Sequence, residues 1–180
     1  MPNAKKILIS GAAALFAALI VLISCVELRS ASVVPVLMYH SFQVEEDKLI
    51  PYVSPEIFAV QMEFLAKNRY NVVGPDKVIA YMTGIKKMPA KTVAITADDG
   101  WYSFYKNAYP VLKKYNLPAT IFIATDKIGA SGYLGWKELG EMSDSGLITI
   151  GSHTRSHPWI PSVSVDKEKL WDELAHSKEI

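Results

Sequence analysis

The chain has 180 residues, half of them hydrophobic, with 10 Gly and 10 Pro, a globular composition that excludes wholesale disorder and sets the expectation of one domain at this length. Net charge is +1, so the basic field that a nucleic-acid binder carries is excluded. Setting residues 1–30 aside removes Lys5, Lys6 and Arg29 against Glu27 alone, and the near-neutral remainder suits an uncharged ligand.

Lys5 and Lys6 precede residues 7–26, a run without a charged side chain. A positive segment before an apolar stretch is the pattern of an export signal, and about 20 residues suffice to span a bilayer as a helix. A buried core helix would show a polar face, which this run lacks. The expectation is an exported protein of the cell envelope, with residues 1–30 as signal or membrane anchor and residues 31–180 outside the cytoplasm. The single cysteine, Cys25, ends Leu22-Ile23-Ser24-Cys25, which resembles a bacterial lipobox whose cysteine becomes lipid-modified. The other reading is a small apolar residue within an uncleaved anchor helix. With one cysteine, no disulfide forms within the chain, and stability rests on packing.

After a short linker at residues 30–32, residues 33–39 form a β-branched apolar run of strand length. Ser54-Pro55-Glu56 supplies an N-cap, a proline at the first helical position and a first-turn acid, predicting a helix to about Lys67. Pro75-Asp76 opens a shorter helix through Met82, ended by Gly84. Residues 92–96 are a second buried strand. Residues 101–115 carry helical spacing, with Pro110 bending that helix or marking an internal start. Residues 119–124 form a third strand, 136–145 a third helical stretch followed by Gly146, and 147–150 a fourth strand. A last helix spans residues 166–180, with Leu170, Trp171 and Leu174 as its apolar face. Alternation of strands and helices predicts a parallel α/β sheet, open or closed into a barrel.

Ligands of such folds gather at the carboxyl ends of strands. His40 falls after the first strand, Asp98-Asp99 after the second and His153 after the fourth. Adjacent carboxylates repel unless a cation stabilises both, although Asp-Asp-Gly is also good turn chemistry. His153 and His157 would share a face on one helical turn, which Pro158 would have to end at once. Two imidazoles and a carboxylate make a site for zinc or a similar ion; two unrelated surface histidines are the alternative.

Thr96-Ala97-Asp98-Asp99-Gly100, followed by His153-Thr154-Arg155-Ser156-His157-Pro158, resembles the first two signature motifs of the polysaccharide deacetylases, carbohydrate esterase family four. Pro35-Val36-Leu37-Met38-Tyr39-His40 and Tyr115-Asn116-Leu117-Pro118-Ala119-Thr120-Ile121-Phe122 are similar to the subgroup acting on poly-N-acetylglucosamine. The resemblance implies a distorted (β/α) barrel, Asp98 as general base, and Asp99, His153 and His157 as ligands of a divalent metal. It implies zinc first, with cobalt, nickel or manganese also accepted by such ligands. The implied substrate is an N-acetylated polysaccharide, hydrolysed to acetate and a free amine, with the membrane as a partner through the leader.

His40 would bond Asp98 or the substrate, or be a satisfied structural histidine. Trp101 would line a sugar cleft or belong to the core. Arg155 is expected to orient a loop carboxylate. The resemblance is incomplete: Ala97 stands where the family has Phe, and nothing after His157 matches the family's Arg–Pro–Tyr segment or its late strand-end histidine, His176 lying on the predicted last helix. Without the leader about 150 residues remain, whereas a closed α/β barrel takes roughly 200 or more. The expectation is therefore a partial barrel, the N-terminal part of a deacetylase domain truncated at its C-terminus. The competing expectation is an inactive, membrane-tethered glycan-binding homologue.

Overall fold

Thr92–Ala97, whose residues are almost all buried, is the strand around which the others pair. The computed structural model describes residues 33–43 and 50–179. Residues 1–32 lie outside the described residues, and with them the leader and Cys25. Among the described residues no helix is long and apolar enough to cross a membrane.

The strands are β1 Val36–Tyr39, β2 Asn71–Val73, β3 Thr92–Ala97, β4 Ala119–Ile123 and β5 Ile148–Ser152. All ladders between them are parallel: Val36 to Tyr39 pair with Ala94 to Ala97, Asn71 to Val73 with Thr92 to Ala94, Thr96-Ala97 with Thr120-Ile121, and Ala119 to Ile123 with Ile148 to Ser152. The path runs β1-β3-β4-β5, with β2 on the first half of β3. The parallel α/β expectation holds, and β1 and β5 end the path without pairing to each other, so the described strands form an open sheet. Parallel direction has one consequence that matters here: every strand delivers its C-terminal residue to the same edge.

The helices are α1 Pro55–Lys67, α2 Pro75–Met82, α3 Tyr109–Tyr115, α4 Trp136–Asp144, α5 Ile160–Val163 and α6 Lys167–Ala175. Helix α1 begins as its sequence dictates, with the Ser54 hydroxyl accepting the Ile57 N–H at 3.3 Å and Phe58, Met62 and Leu65 turned inward. Phe42, Phe58 and Phe104 meet edge to face, with centroids 4.8 and 5.5 Å apart, a geometry worth about 0.5–1.5 kcal/mol per pair beyond the area buried. Met62, Leu112, Ile121 and Met142 complete the core between sheet and helices.

Three expectations require correction. Strand β2 was not foreseen, because three residues are too few to display a period. The helix foreseen over residues 101–115 contains a π-helical turn, Phe104–Ala108, and α3 restarts at Tyr109 with Pro110 in its first turn. The Tyr109 N–H reaches back to the Phe104 carbonyl, so the extra residue absorbs the break that a proline without an N–H imposes. The last helix ends at Ala175 and passes into a 3₁₀ turn, His176–Lys178. Its supposed apolar face is largely outside: Trp171 is 69% and Leu174 46% exposed, while Glu173 is buried.

Candidate metal centre

The Asp98 N–H donates to the Tyr39 carbonyl at 2.9 Å, extending the β1–β3 ladder by one step. The chain then turns sharply, Asp99 at φ 73° and Gly100 at φ 83°. Asp is among the few side chains that tolerate the left-handed region, and Gly enters it freely. A Cβ on Gly100 would also lie 3.0 Å from Ile123 Cδ1. This double turn aims Asp99 across the end of the sheet. Its Oδ2 accepts the Trp101 indole N–H at 3.1 Å, and Trp101 stacks on Tyr133 with centroids 4.4 Å apart.

From the other side, the His153 N–H bonds the Ile123 carbonyl at 2.8 Å, continuing the β4–β5 ladder. Residues 153–157 then form an irregular loop rather than a helical turn, with Thr154 at φ 67° and His157 at φ 61°. The His157 N–H donates to Thr154 Oγ1 at 3.1 Å, and the Thr154 and Arg155 carbonyls accept the N–H groups of Thr125 and Asp126. Gly151 leaves room for this approach, since a Cβ there would stand 2.7 Å from the Phe122 ring.

The outcome is a convergence on one oxygen. His157 Nε2 lies 3.2 Å and His153 Nε2 3.5 Å from Asp99 Oδ1. Ligand-capable atoms of Asp99, His153 and His157 all fall within 4.8 Å of one another, a grouping that could hold a metal ion. Although both imidazoles are near, Asp99 Oδ1 is buried and receives no hydrogen bond. Two donors about 2.1 Å from a tetrahedral ion stand about 3.4 Å apart, the spacing seen here. An orphaned buried oxygen with two imidazole nitrogens at that distance fits a divalent cation. His157 is 53% exposed along its side chain, so the site opens to solvent there.

Asp98 is half-buried next to this cluster. Burial pushes its carboxyl above the ordinary value, against the charges of His153 and then His40, which pull it down. His40 directly follows β1 and acts on Asp98 through that charge. A cavity of about 160 Å³, lined by Asp99, Trp101, Ala124, Lys127, Tyr133 and His157, adjoins the cluster. Trp101 thus holds the Asp99 carboxylate and lines the cavity at once. Arg155 bonds Asp126 at 3.2 Å and Asp172 at 2.5 Å, the carboxylate-orienting role expected of it. Tyr133 and Lys127 were not foreseen; they sit in a Gly-rich segment without periodicity.

A family model described as polysaccharide deacetylase matches residues 85–180, more than half of the chain. The chain belongs to the polysaccharide deacetylase family. Among relatives of this chain, the polysaccharide deacetylase homologue YxkH of Bacillus subtilis is 35% identical over 152 residues, covering 80% of this chain and 53% of YxkH. The poly-β-1,6-N-acetyl-D-glucosamine N-deacetylase of Staphylococcus epidermidis is 44% identical over 73 residues, 38% of this chain and 25% of that enzyme. The solved structure of the Streptococcus pyogenes deacetylase PplD, in complex with acetate, superposes with a TM-score of 0.73 at 30% identity, covering 81% of this chain and 66% of PplD. The chain therefore spans about half of YxkH and a quarter of the staphylococcal enzyme.

Proposed function

We propose that the chain supplies the metal centre and general base for hydrolysis of N-acetyl groups on an extracellular poly-N-acetylglucosamine-like polysaccharide. The observation that carries this reading is the convergence of His153 and His157 on the unpartnered Oδ1 of Asp99, with Asp98 beside it. Asp99, His153 and His157 would hold the ion, zinc being the first choice for two imidazoles and a carboxylate, with cobalt, nickel or manganese as substitutes. A divalent ion in such a site polarises an amide carbonyl and acidifies water.

Asp98 takes the proton from the attacking water. It stands beside the cluster without being one of the converging ligand atoms, so its carboxylate is free to accept that proton. The water oxygen bonds the carbonyl carbon, the carbon–nitrogen bond breaks, and both water protons end on the departing nitrogen, giving acetate and a glucosamine residue with its amine protonated. His40 sits where its charge steadies the ionised form of Asp98. Tyr133, stacked on Trp101 at the cavity, offers a face for a sugar ring.

The polymer is inferred from the staphylococcal relative, whose name specifies poly-β-1,6-N-acetyl-D-glucosamine. Export rests on the leader: Lys5 and Lys6, then the uncharged run to Val26, with Cys25 positioned for lipid attachment. The test is acetate release from β-1,6-linked N-acetylglucosamine oligomers by the purified chain with Zn²⁺. Release lost on Asp98→Asn supports the proposal. Binding of Zn²⁺ and oligomer without release refutes it and leaves a glycan-binding homologue.

A further inference from the structure

Glu173 has no part in that chemistry, yet it is 5% exposed on α6. Its carboxylate accepts three hydrogen bonds, all from Arg155 and Ser156, the two residues that precede His157. The Arg155 N–H reaches Oε2 at 3.0 Å and the Ser156 N–H reaches the same oxygen at 2.8 Å; the Ser156 hydroxyl reaches Oε1 at 2.5 Å. Successive N–H groups aimed at one oxygen make an anion-binding concavity, here filled by a side chain of the same molecule. Burial pushes this carboxyl up, but the Ser156 hydroxyl and the two N–H groups outweigh it and hold Glu173 below its ordinary value. A buried carboxylate paired in this way stays ionised and is costly to disturb.

The two histidines differ in how they are held. His153 is fixed by the ladder, its N–H on the Ile123 carbonyl. His157 lies past the ladder, on a loop that turns through two left-handed non-glycine residues, Thr154 and His157. Such residues cost roughly 1–2 kcal/mol each and persist only where their surroundings hold them. Relaxing the loop to negative φ would swing His157 Nε2 off Asp99. At residues 155 and 156 the backbone N–H groups are held by Glu173, 18 and 17 residues further along the chain, while the Arg155 side chain and carbonyl are held by Asp126 and Asp172.

We infer that Glu173 is a positioning residue for the metal ligand His157: its carboxylate pins Arg155 and Ser156 so that the strained loop presents the second imidazole to Asp99. The inference rests on the reading of Asp99, His153 and His157 as a metal site. It is tested on the full chain with Zn²⁺ and Co²⁺ alone. Zn²⁺ affinity is read by competition with a chromophoric chelator, Co²⁺ coordination by visible absorption, and metal-free stability by thermal unfolding. In Glu173→Gln one acceptor oxygen becomes a donor, so Kd for Zn²⁺ rises 10- to 100-fold, the usual range for groups that orient a ligand. The Co²⁺ spectrum of that variant moves toward that of His157→Ala.

Ser177→Ala is the control, because it breaks the 2.6 Å bond to Ser152 and loosens the α6 end without touching residues 155–156. It lowers Tm and leaves Kd within twofold. Glu173→Gln binding Zn²⁺ within twofold of wild type overturns the inference, as does an equal loss of affinity in Ser177→Ala. Should Glu173→Gln fail to fold, Ser156→Ala decides: a Kd several-fold weaker supports positioning, and an unchanged Kd overturns it. A wild type that takes up neither metal overturns the metal reading, and this inference with it.

Discussion

Trp101→Phe separates the indole N–H from the aromatic body of the residue. The native ring does two things: it stacks on Tyr133 at 4.4 Å and donates to Asp99 Oδ2 at 3.1 Å. Phenylalanine keeps a ring for the stack and loses the donor. A hydrogen bond to a charged acceptor contributes about 1.5–3 kcal/mol, and the half-buried setting of Trp101 argues for the lower end. Because 1.4 kcal/mol is a factor of ten, Zn²⁺ affinity should fall by roughly tenfold as Asp99 gains freedom to rotate Oδ1 away from the imidazoles. The smaller ring also lowers metal-free Tm by a few degrees, at about 2–4 °C per kcal/mol for a domain of this size. Chelator competition for Zn²⁺ and thermal unfolding of the metal-free protein measure the two effects separately. The indole also draws charge from the carboxylate, an effect that would favour the variant. Affinity equal to or tighter than wild type, alongside a lowered Tm, would refute the orienting role.

Asp98→Asn should abolish acetate release while Zn²⁺ affinity stays within a few-fold, since Asp98 is not among the converging ligand atoms; loss of both, measured by chelator competition, would make it a ligand. Gly151→Ala should destabilise by about 1–3 kcal/mol, the cost of overpacking, because its Cβ meets Phe122 at 2.7 Å; an unchanged Tm would contradict this. Ser54→Ala should cost about 1 kcal/mol through loss of the α1 cap, with Zn²⁺ affinity unaltered at a site beyond its reach. Glu173 sets an acid dependence. Its carboxyl is held below the ordinary value, so its stabilisation is complete above the unfolded value near 4.5 and is lost as pH falls through the lower folded value. The Tm gap between wild type and Glu173→Gln, both metal-free, should therefore be widest near pH 7 and close as pH falls through that lower folded value. A gap that widens on acidification would mean the carboxylate is not the stabilising form.

Elements with a local cause were legible in the sequence. Helix α1 starts where Ser54-Pro55-Glu56 places it and ends at Lys67; β3 is the buried run before the aspartates. These depend on capping and on burial pattern, which a short window contains. The π-helical turn does not, because it arises from a conflict between the Pro110 break and the need to keep Phe104, Ala108 and Leu112 in the core. Strand β2 was illegible for a related reason: Asn71–Val73 is held by the β3 ladder and has too few residues to show alternation.

The site divides along the same line. Asp98, Asp99, His40 and His153 could be located because a parallel sheet delivers strand ends to one edge, and the sequence states where strands end. His157 was grouped with them for a reason that the fold replaces: the two histidines meet through a left-handed loop, not through helical spacing. A helix would have fixed their distance by itself. A loop of two strained residues cannot, and so needs partners distant in sequence, here Thr125, Asp126 and Glu173. Glu173 lies within the helix whose expected apolar face was Leu170, Trp171 and Leu174, whereas in the fold Trp171 and Leu174 are exposed and the acid is buried. A period counts hydrophobic residues; it carries no information on which backbone N–H groups elsewhere lack an acceptor. Where a sequence motif implies a loop with ligands at both ends, an acid on a following helix, here α6, is the first place to look for what holds it.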